Sequence, residues 1–171
     1  MRANEVLLDA FGRLPELVGG AVDGLTAEQL TWAPGDGANP IGWLVWHLTR
    51  VQDDHVAEVM GVEQLWATGD FAAAFGLTPD PGNTGYGHGR RDVAAVRPRD
   101  ARALTDYYTA VHERTVGWIG TLTDAELDRV VDERWDPPVT LGVRLISVYD
   151  DDAQHAGQAA YVRGLLPDRR V

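Results

Sequence analysis

An acidic run followed by a histidine stands out near the C-terminus, in the stretch YDDDAQHAGQ. Asp151 and His155 are four residues apart, so in a helix their side chains project from one face, one turn apart. A carboxylate and an imidazole at this spacing can grip one metal ion. Asp150 and Asp152 are rotated by about 100° to either side, and we expect them in solvent or at the mouth of such a site.

A metal site needs a further ligand from elsewhere in the chain. His47 lies in WLVWHLTR, the most apolar surroundings of any histidine in the sequence, where each ring nitrogen needs a partner. His55 lies in the polar stretch QDDHVAE, which is typical of a surface. Two alternatives stay open: His47 is a core histidine bonded to a carbonyl or carboxylate, or Asp151 forms a salt bridge with a protonated His47 or His155.

Four further residues are candidates for orienting a ligand or contacting a substrate, because they are close to these positions on the helical pattern. They are Trp43, Arg50, Asp54 and Gln158. Arg50 could hold a carboxylate or sugar group of a cosubstrate, and an ion pair with Asp53 or Asp54 within the helix is its alternative role. Trp43 has the alternative role of a core aromatic residue. His88 and His112 are expected to be incidental unless the loop that carries His88 folds over the site.

Four long helical patterns position these residues. Apolar residues recur at spacings of three and four over residues 4–22, 39–61, 98–121 and 140–166. In the second pattern Asn39 suits the N-cap, Pro40 the first helical position and Gly61 the C-terminal end. Pro15 predicts a kink or break in the first helix. Residues 62–97 are dense in Gly and Pro, which predicts a long loop with a functional role.

Two shorter signals complete the organisation. Thr26 with Gln29, and Thr123 with Glu126, have the capping-box spacing that begins a short helix. The stretch LDRVVDERWDPPVTL predicts a small hairpin or an extended crossover between the last two long helices. Together the patterns predict one all-α domain over residues 1–171, a four-helix bundle with a long crossover. Bundles of this kind build metal sites from side chains on facing helices.

Composition narrows the classes of function. The chain has 171 residues, 44% of them apolar, no cysteine and a formal net charge of −11. The absence of cysteine excludes thiolate ligands, disulfides and a cysteine nucleophile, and the acidic charge argues against nucleic-acid binding. All 15 basic residues are Arg, which excludes a catalytic lysine and is typical of a GC-rich genome. With no apolar run long enough for a membrane and no signal-peptide core, we expect a cytoplasmic protein.

Two stretches, NPIGWLVWHLTRVQDDHVAEVMG and DDDAQHAGQAAYVRGLLP, resemble the DinB-like superfamily, and especially its actinobacterial members of unknown function. The resemblance covers nearly the whole chain. It implies an up-down-down-up four-helix bundle, often homodimeric, with a divalent metal at one end of the core. The family's ligands, a histidine on the second helix and a histidine pair on the last, fall on His47, Asp151 and His155.

Asp151 departs from the family pattern, in which histidine is commoner at that position. The related mycothiol-dependent maleylpyruvate isomerases carry an acidic residue followed four later by histidine, so the departure does not remove the metal prediction. A His–carboxylate–His set leaves coordination positions for water or substrate. It also adds one negative charge, which favours a dication and lowers its Lewis acidity.

The resemblance implies a metal-dependent enzyme, a low-molecular-weight thiol transferase or isomerase that uses Zn or Ni. Metal-bound thiols lose their proton readily, and with no cysteine in the chain the sulfur must come from a cosubstrate. The GC-rich character indicates an actinobacterium, where this thiol would be mycothiol. Activation of water is another use of an open metal position. The alternative function is a non-catalytic metal- or ligand-binding dimer, stress-linked or regulatory.

The placement of the loop of residues 62–97 discriminates between the enzymatic and the non-catalytic function. Substrate binding is favoured if Arg90 or Arg91 points into a pocket by the ligands. An interaction role is favoured if the loop packs only on a partner chain. The expected partners are a small-molecule substrate or thiol and a second copy of the chain, with no nucleic acid and no membrane.

Overall fold

The computed structural model describes residues 1–167, and in this part the chain is mostly helical with one small hairpin. The α-helices are α1 (Ala3–Val22), α2 (Ala27–Thr31), α3 (Ile41–Met60), α4 (Leu65–Thr68), α5 (Arg90–Ala95), α6 (Ala101–Ile119), α7 (Asp124–Leu127) and α8 (Leu141–Gly164). A short 3₁₀ helix spans Ala72–Phe75, and strands β1 (Val130–Asp132) and β2 (Val139–Thr140) pair antiparallel. The predicted hairpin between the last two long helices is confirmed.

The four long helices appear where the apolar spacing predicted them, with small shifts at their starts. α3 begins one residue later than predicted because Pro40 is its N-cap, with extended backbone at φ −72° and ψ 159°. Asn39 is therefore outside the helix, and the N-cap prediction for it is wrong. Gly61 ends α3 as predicted, in the left-handed conformation at φ 70° that glycine adopts without strain. α1 continues through Pro15, so the predicted break does not occur.

Side-chain caps explain where four of the other helices begin, namely α2, α6, α7 and α8. The Asp100 carboxylate accepts a hydrogen bond from the Ala103 amide at 2.8 Å, so α6 starts at Ala101. The Thr140 hydroxyl caps α8 in the same way. Both predicted capping boxes are present: Thr26 and Gln29 exchange reciprocal bonds at the start of α2, as do Thr123 and Glu126 at the start of α7.

Helix α3 packs against α6 and α8, and α1 packs against α3, α6 and α8, so that the four long helices enclose the main apolar core. Phe11, Trp46, Leu104 and Leu145 are among its fully or almost fully buried members. The ring of His47 near the start of α3 contacts the ring of His155 near the end of α8. Later in α3, His55 contacts Arg144 near the start of α8. α3 and α8 are therefore antiparallel, and the up-down-down-up topology of the four helices stays a prediction.

The connection between α3 and α6 is folded on the helices and has short helical turns of its own. Its residues Trp66 and Phe75 are fully buried, and the two rings lie 5.6 Å apart between centroids. The Trp66 ring also lies 5.2 Å from the Tyr107 ring of α6. Apolar packing of this kind fixes the path of the connection. Within residues 1–167, no helix combines the length and hydropathy needed to cross a membrane.

Candidate metal centre

His47, Asp151 and His155 converge between α3 and α8. Each offers one potential ligand atom, and these atoms lie within 4.8 Å of one another. The imidazole centroids of His47 and His155 are 4.8 Å apart, with the rings tilted by 74°. His155 Nε2 lies 3.6 Å from Asp151 Oδ1. Two imidazoles and a carboxylate at these separations form a donor set suited to a divalent transition metal.

A backbone carbonyl of the long connection determines which nitrogen of His47 is available. His47 Nδ1 donates a hydrogen bond to the Thr84 carbonyl oxygen at 2.6 Å. The proton on Nδ1 leaves Nε2 with its lone pair, which is the atom that can bind an ion. Trp43 stacks on the ring at 4.6 Å between centroids. Burial lowers the pKa of His47 despite the opposing effects of Thr84 and Asp151, so the imidazole is neutral near pH 7.

Gln158 orients the ring of His155 in the same way. The Gln158 Oε1 atom accepts a hydrogen bond from His155 Nδ1 at 2.9 Å. His155 Nε2 is thereby directed toward Asp151 and His47. Both imidazoles are thus held with Nδ1 bonded to an oxygen acceptor, the arrangement that orients metal-binding histidines. The predicted role of Gln158 in orienting His155 agrees with this contact.

The three acids of the run have three different environments. Asp150 is exposed and accepts a hydrogen bond from Gln154. Asp151 faces the two histidines, and within the described residues its buried Oδ2 atom has no hydrogen-bond partner. Such an orphaned carboxylate oxygen is costly unless a cation or water meets it. It is the observation on this chain that best fits a bound metal ion.

Asp152 contradicts the expectation of a solvated residue. It is fully buried, and within residues 1–167 both of its carboxylate oxygens lack a hydrogen-bond partner. Burial raises the pKa of Asp152 well above its usual range, and the nearby charge of Asp151 adds to the effect. The helical rotation that turns Asp152 away from the metal site turns it into the interior of the protein, where its charge acts on Tyr108 of α6.

Arg50 is placed differently from the expectation that it contacts a cosubstrate. Its side chain is fully buried, and its guanidinium donates to Asp53, Tyr107, Gln64 and the carbonyls of residues 81 and 83. These bonds use its N–H groups inside the protein. The predicted alternative, a pair with Asp53, is present at 3.5 Å. Arg50 therefore holds the connection rather than a ligand.

Asp54 also lies away from the three converging side chains. It is half-buried and accepts a hydrogen bond from Gln64 Nε2 at 2.7 Å. With Glu58 and Pro81 it lines a separate cleft of about 300 Å³. About two turns of α3 separate Asp54 from His47, and this distance along the helix axis explains why Asp54 lies away from the candidate ligands.

Other histidines are more involved than their sequence context indicated. His88 accepts a hydrogen bond from Trp43 Nε1 at 3.2 Å, donates to Asn83 Oδ1 and stacks on Trp46. The exception stated for His88 therefore applies, because its loop packs against Trp43 and Trp46 beside the site. His55 is not a free surface residue, since it is half-buried against Arg144 at 3.1 Å. Tyr86 stands over His47 with its ring 75% exposed, at 6.0 Å between centroids.

A cleft of about 440 Å³ contains His88 in its lining but none of the three candidate ligands. It lies between residues 31–40 and residues 88–94, and His88 and Arg90 are part of its lining. Arg90 pairs with Asp36 across the cleft at 3.4 Å, and both side chains are largely exposed. The link from the cleft to the centre is indirect: His88 contacts Trp43, and Trp43 stacks on the ring of His47.

The fold and the converging side chains define a mostly helical protein with a candidate His/Asp/His metal site. The chain belongs to the DinB superfamily, whose family model matches residues 10–159. A crystal structure titled as the conserved protein of locus from Enterococcus faecalis is similar over 96% of this chain and 97% of that chain, with 27% identity and a TM-score of 0.88. No curated protein matches this chain.

Proposed function

We propose that this protein is a divalent-metal-dependent enzyme that acts on a low-molecular-weight thiol, as a transferase or isomerase. The carrying observation is the convergence of His47, Asp151 and His155, with their ligand atoms within 4.8 Å. Both histidines have Nδ1 bonded to an oxygen acceptor, and Asp151 has an orphaned buried oxygen within the described residues. These features favour an ion over a salt bridge between Asp151 and His47, since burial lowers the pKa of His47 and so disfavours the charge that this bridge requires.

The residues of the candidate metal centre would have different roles. His47 and His155 would supply neutral nitrogen ligands, and Asp151 would supply a charged oxygen ligand that offsets the dication. Trp43 and Trp46, stacked on His47 and His88, exclude water from one side of the centre. Zn or Ni bound there would lower the pKa of a coordinated thiol and keep it nucleophilic near neutral pH.

Substrate binding is supported by the cleft beside His88. The cleft has Arg90 in its lining, which supports the hypothesis that an arginine of the long connection contacts a substrate. The exposed pair of Arg90 with Asp36 offers both signs of charge to a polar cosubstrate such as mycothiol. The proposal includes a cytoplasmic location and a homodimer as the working form.

Cobalt substitution tests the thiol directly. Protein loaded with Co²⁺ is titrated with mycothiol, and we expect a near-ultraviolet charge-transfer band that reports a cobalt–sulfur bond. S-methylated mycothiol is the matched ligand control, because it cannot form a thiolate. Asp150→Ala is the matched protein control, because Asp150 is exposed and bonded to Gln154. It should behave as wild type, whereas Asp151→Ala should give no band.

Thiol-dependent turnover is the second readout. Wild type should accelerate the reaction of mycothiol with an aryl chloride electrophile above the rate seen with Asp151→Ala. A protein that binds Co²⁺ stoichiometrically yet shows neither band nor acceleration would refute the thiol reaction. That result would support the non-catalytic metal- or ligand-binding dimer instead.

A further inference from the structure

One face of α3 holds both ends of the long connection. His47, Arg50 and Asp53 are spaced three apart, so they share a face of the helix. Asp53 accepts hydrogen bonds from the backbone amides of Leu65 and Trp66, at 3.0 and 2.8 Å. These bonds fix the start of the connection.

The later part of the connection is fixed by its carbonyl groups. Arg50 donates hydrogen bonds to the carbonyl oxygens of Pro81 and Asn83, at 2.9 and 3.0 Å. The Thr84 carbonyl oxygen then accepts a hydrogen bond from His47 Nδ1 at 2.6 Å. The path of the backbone from residue 81 to residue 84 is therefore set by buried Arg50 immediately before it reaches the candidate ligand.

Gly85 is what allows this approach. Its φ is +97°, a conformation that other residues rarely adopt. A Cβ at this position would stand 2.5 Å from His47 Nδ1 and 3.1 Å from Trp46 Cζ3. Any side chain at residue 85 would have to displace the turn or rotate the imidazole, and either movement breaks the bond from His47 to Thr84.

We propose that the turn of residues 83–85 is the positioning element of the metal centre. Its docking on Arg50 fixes His47 as the Nδ1–H tautomer with Nε2 toward Asp151 and His155, so docking of the turn and metal affinity are coupled. Thr84 and Gly85 are positioning residues, since they act through His47 and do not touch the ion. The inference rests on the proposed metal site.

Coupling is reciprocal, because a ligand that stabilises one arrangement is bound more tightly by it. Bound metal should therefore hold the turn in place. In the wild-type protein, addition of Zn²⁺ should slow amide hydrogen exchange in residues 83–88 beyond any effect on α1, which has no part in the centre.

Zinc affinity of Gly85→Ala tests the coupling, measured by competition with a chromophoric chelator. We expect a loss of roughly 10- to 100-fold, the usual effect of disturbing a residue that orients a ligand. Gly82→Ala is the matched control in the same loop, because its Cβ would stand at an ordinary 3.4 Å from Asp80 Oδ1. It should bind Zn²⁺ as wild type does. Equal affinities of Gly85→Ala and Gly82→Ala would overturn the inference.

A second measurement needs no variant and so does not depend on Gly85→Ala folding. Long-range ¹H–¹⁵N correlation spectra of the metal-free wild type should show His47 as the Nδ1–H tautomer. The Nε2–H tautomer would overturn the inference. Failure of the proposed function would give a different result. The wild-type protein would then bind no Zn²⁺, whichever tautomer His47 adopts.

Discussion

The two candidate imidazole ligands are oriented by acceptors of different origin. His155 is held by Gln158 from its own helix at 2.9 Å, whereas His47 is held by a carbonyl distant in sequence. The His155 contact follows from helical spacing and could be predicted from the sequence. The His47 contact could not, because it depends on where residues 81–85 pass, and Gly and Pro density predicts a loop without predicting its path.

Removal of the Gln158 acceptor should weaken metal binding. In Gln158→Leu, His155 loses the partner of Nδ1, and we expect zinc affinity to fall roughly 10-fold. Gln158→Glu keeps an acceptor and should retain the affinity. The measurement is chelator competition. Gln154→Leu is the control, because Gln154 is exposed and, within residues 1–167, its side chain bonds only to Asp150. An affinity of Gln158→Leu equal to that of wild type would contradict this role.

At the scale of elements, the connection between α3 and α6 depends on a buried ion-pair network. Asp53 accepts bonds from Tyr107 and Arg114 of α6 as well as from two amides of the connection. Arg50 completes the network. Buried charges are tolerated when they are paired and hydrogen-bonded, and this network therefore determines how the connection lies over the centre.

Asp53→Asn should be strongly destabilising. It leaves two buried or half-buried arginines without their carboxylate, and breaking a buried pair costs roughly 3–5 kcal/mol. The measurement is the free energy of unfolding from urea denaturation. The matched control is the adjacent Asp54→Asn, where a half-buried carboxylate bonds to Gln64; it should cost about 1 kcal/mol or less. A similar loss of unfolding free energy in Asp53→Asn and Asp54→Asn would show that the buried network stabilises the protein no more than the bond from Gln64 to Asp54 does.

Most elements could be predicted from the sequence, since apolar spacing marks the long helices and capping boxes mark α2 and α7. Helix α3 starts one residue later than the sequence predicts, because Pro40 is its N-cap and not its first helical residue. The surroundings of Asp152 could not be predicted from its own helix, because they depend on how the other helices pack around α8. The burial of Arg50 could not be predicted either, because it depends on the path of the connection that carries Gln64, Pro81 and Asn83.

At the scale of the whole molecule, the hairpin is joined to the helices by a second charge cluster. Asp132 of β1 bonds to Arg134 and lies 3.3 Å from Arg144 of α8. Arg144 in turn pairs with Glu58 of α3 at 2.7 Å. Hydrogen bonds from Arg134, with a smaller contribution from Arg144, hold the pKa of Asp132 below its usual range.

The stability of the protein should therefore fall in acid through Asp132. Its folded pKa lies below the value of about 3.9 for an unfolded aspartate, so its contribution is present above that pH and is lost as the pH falls through the lowered folded pKa. Asp132→Asn should be less stable than wild type near pH 7, and the difference should shrink below about pH 4. Urea midpoints at several pH values measure it. A difference that does not depend on pH would exclude this role for Asp132.

The metal itself is the central claim, and metal content by mass spectrometry on untagged protein tests it most directly. Wild type and Asp150→Ala should each carry near one equivalent of a transition metal, whereas Asp151→Ala and His155→Ala should lose it. Wild type that takes up no stoichiometric metal, even after incubation with Zn²⁺, Ni²⁺ and Mn²⁺, would contradict the account. The converging side chains would then be a salt-bridged cluster, and the proposal of a metal-dependent enzyme would be wrong.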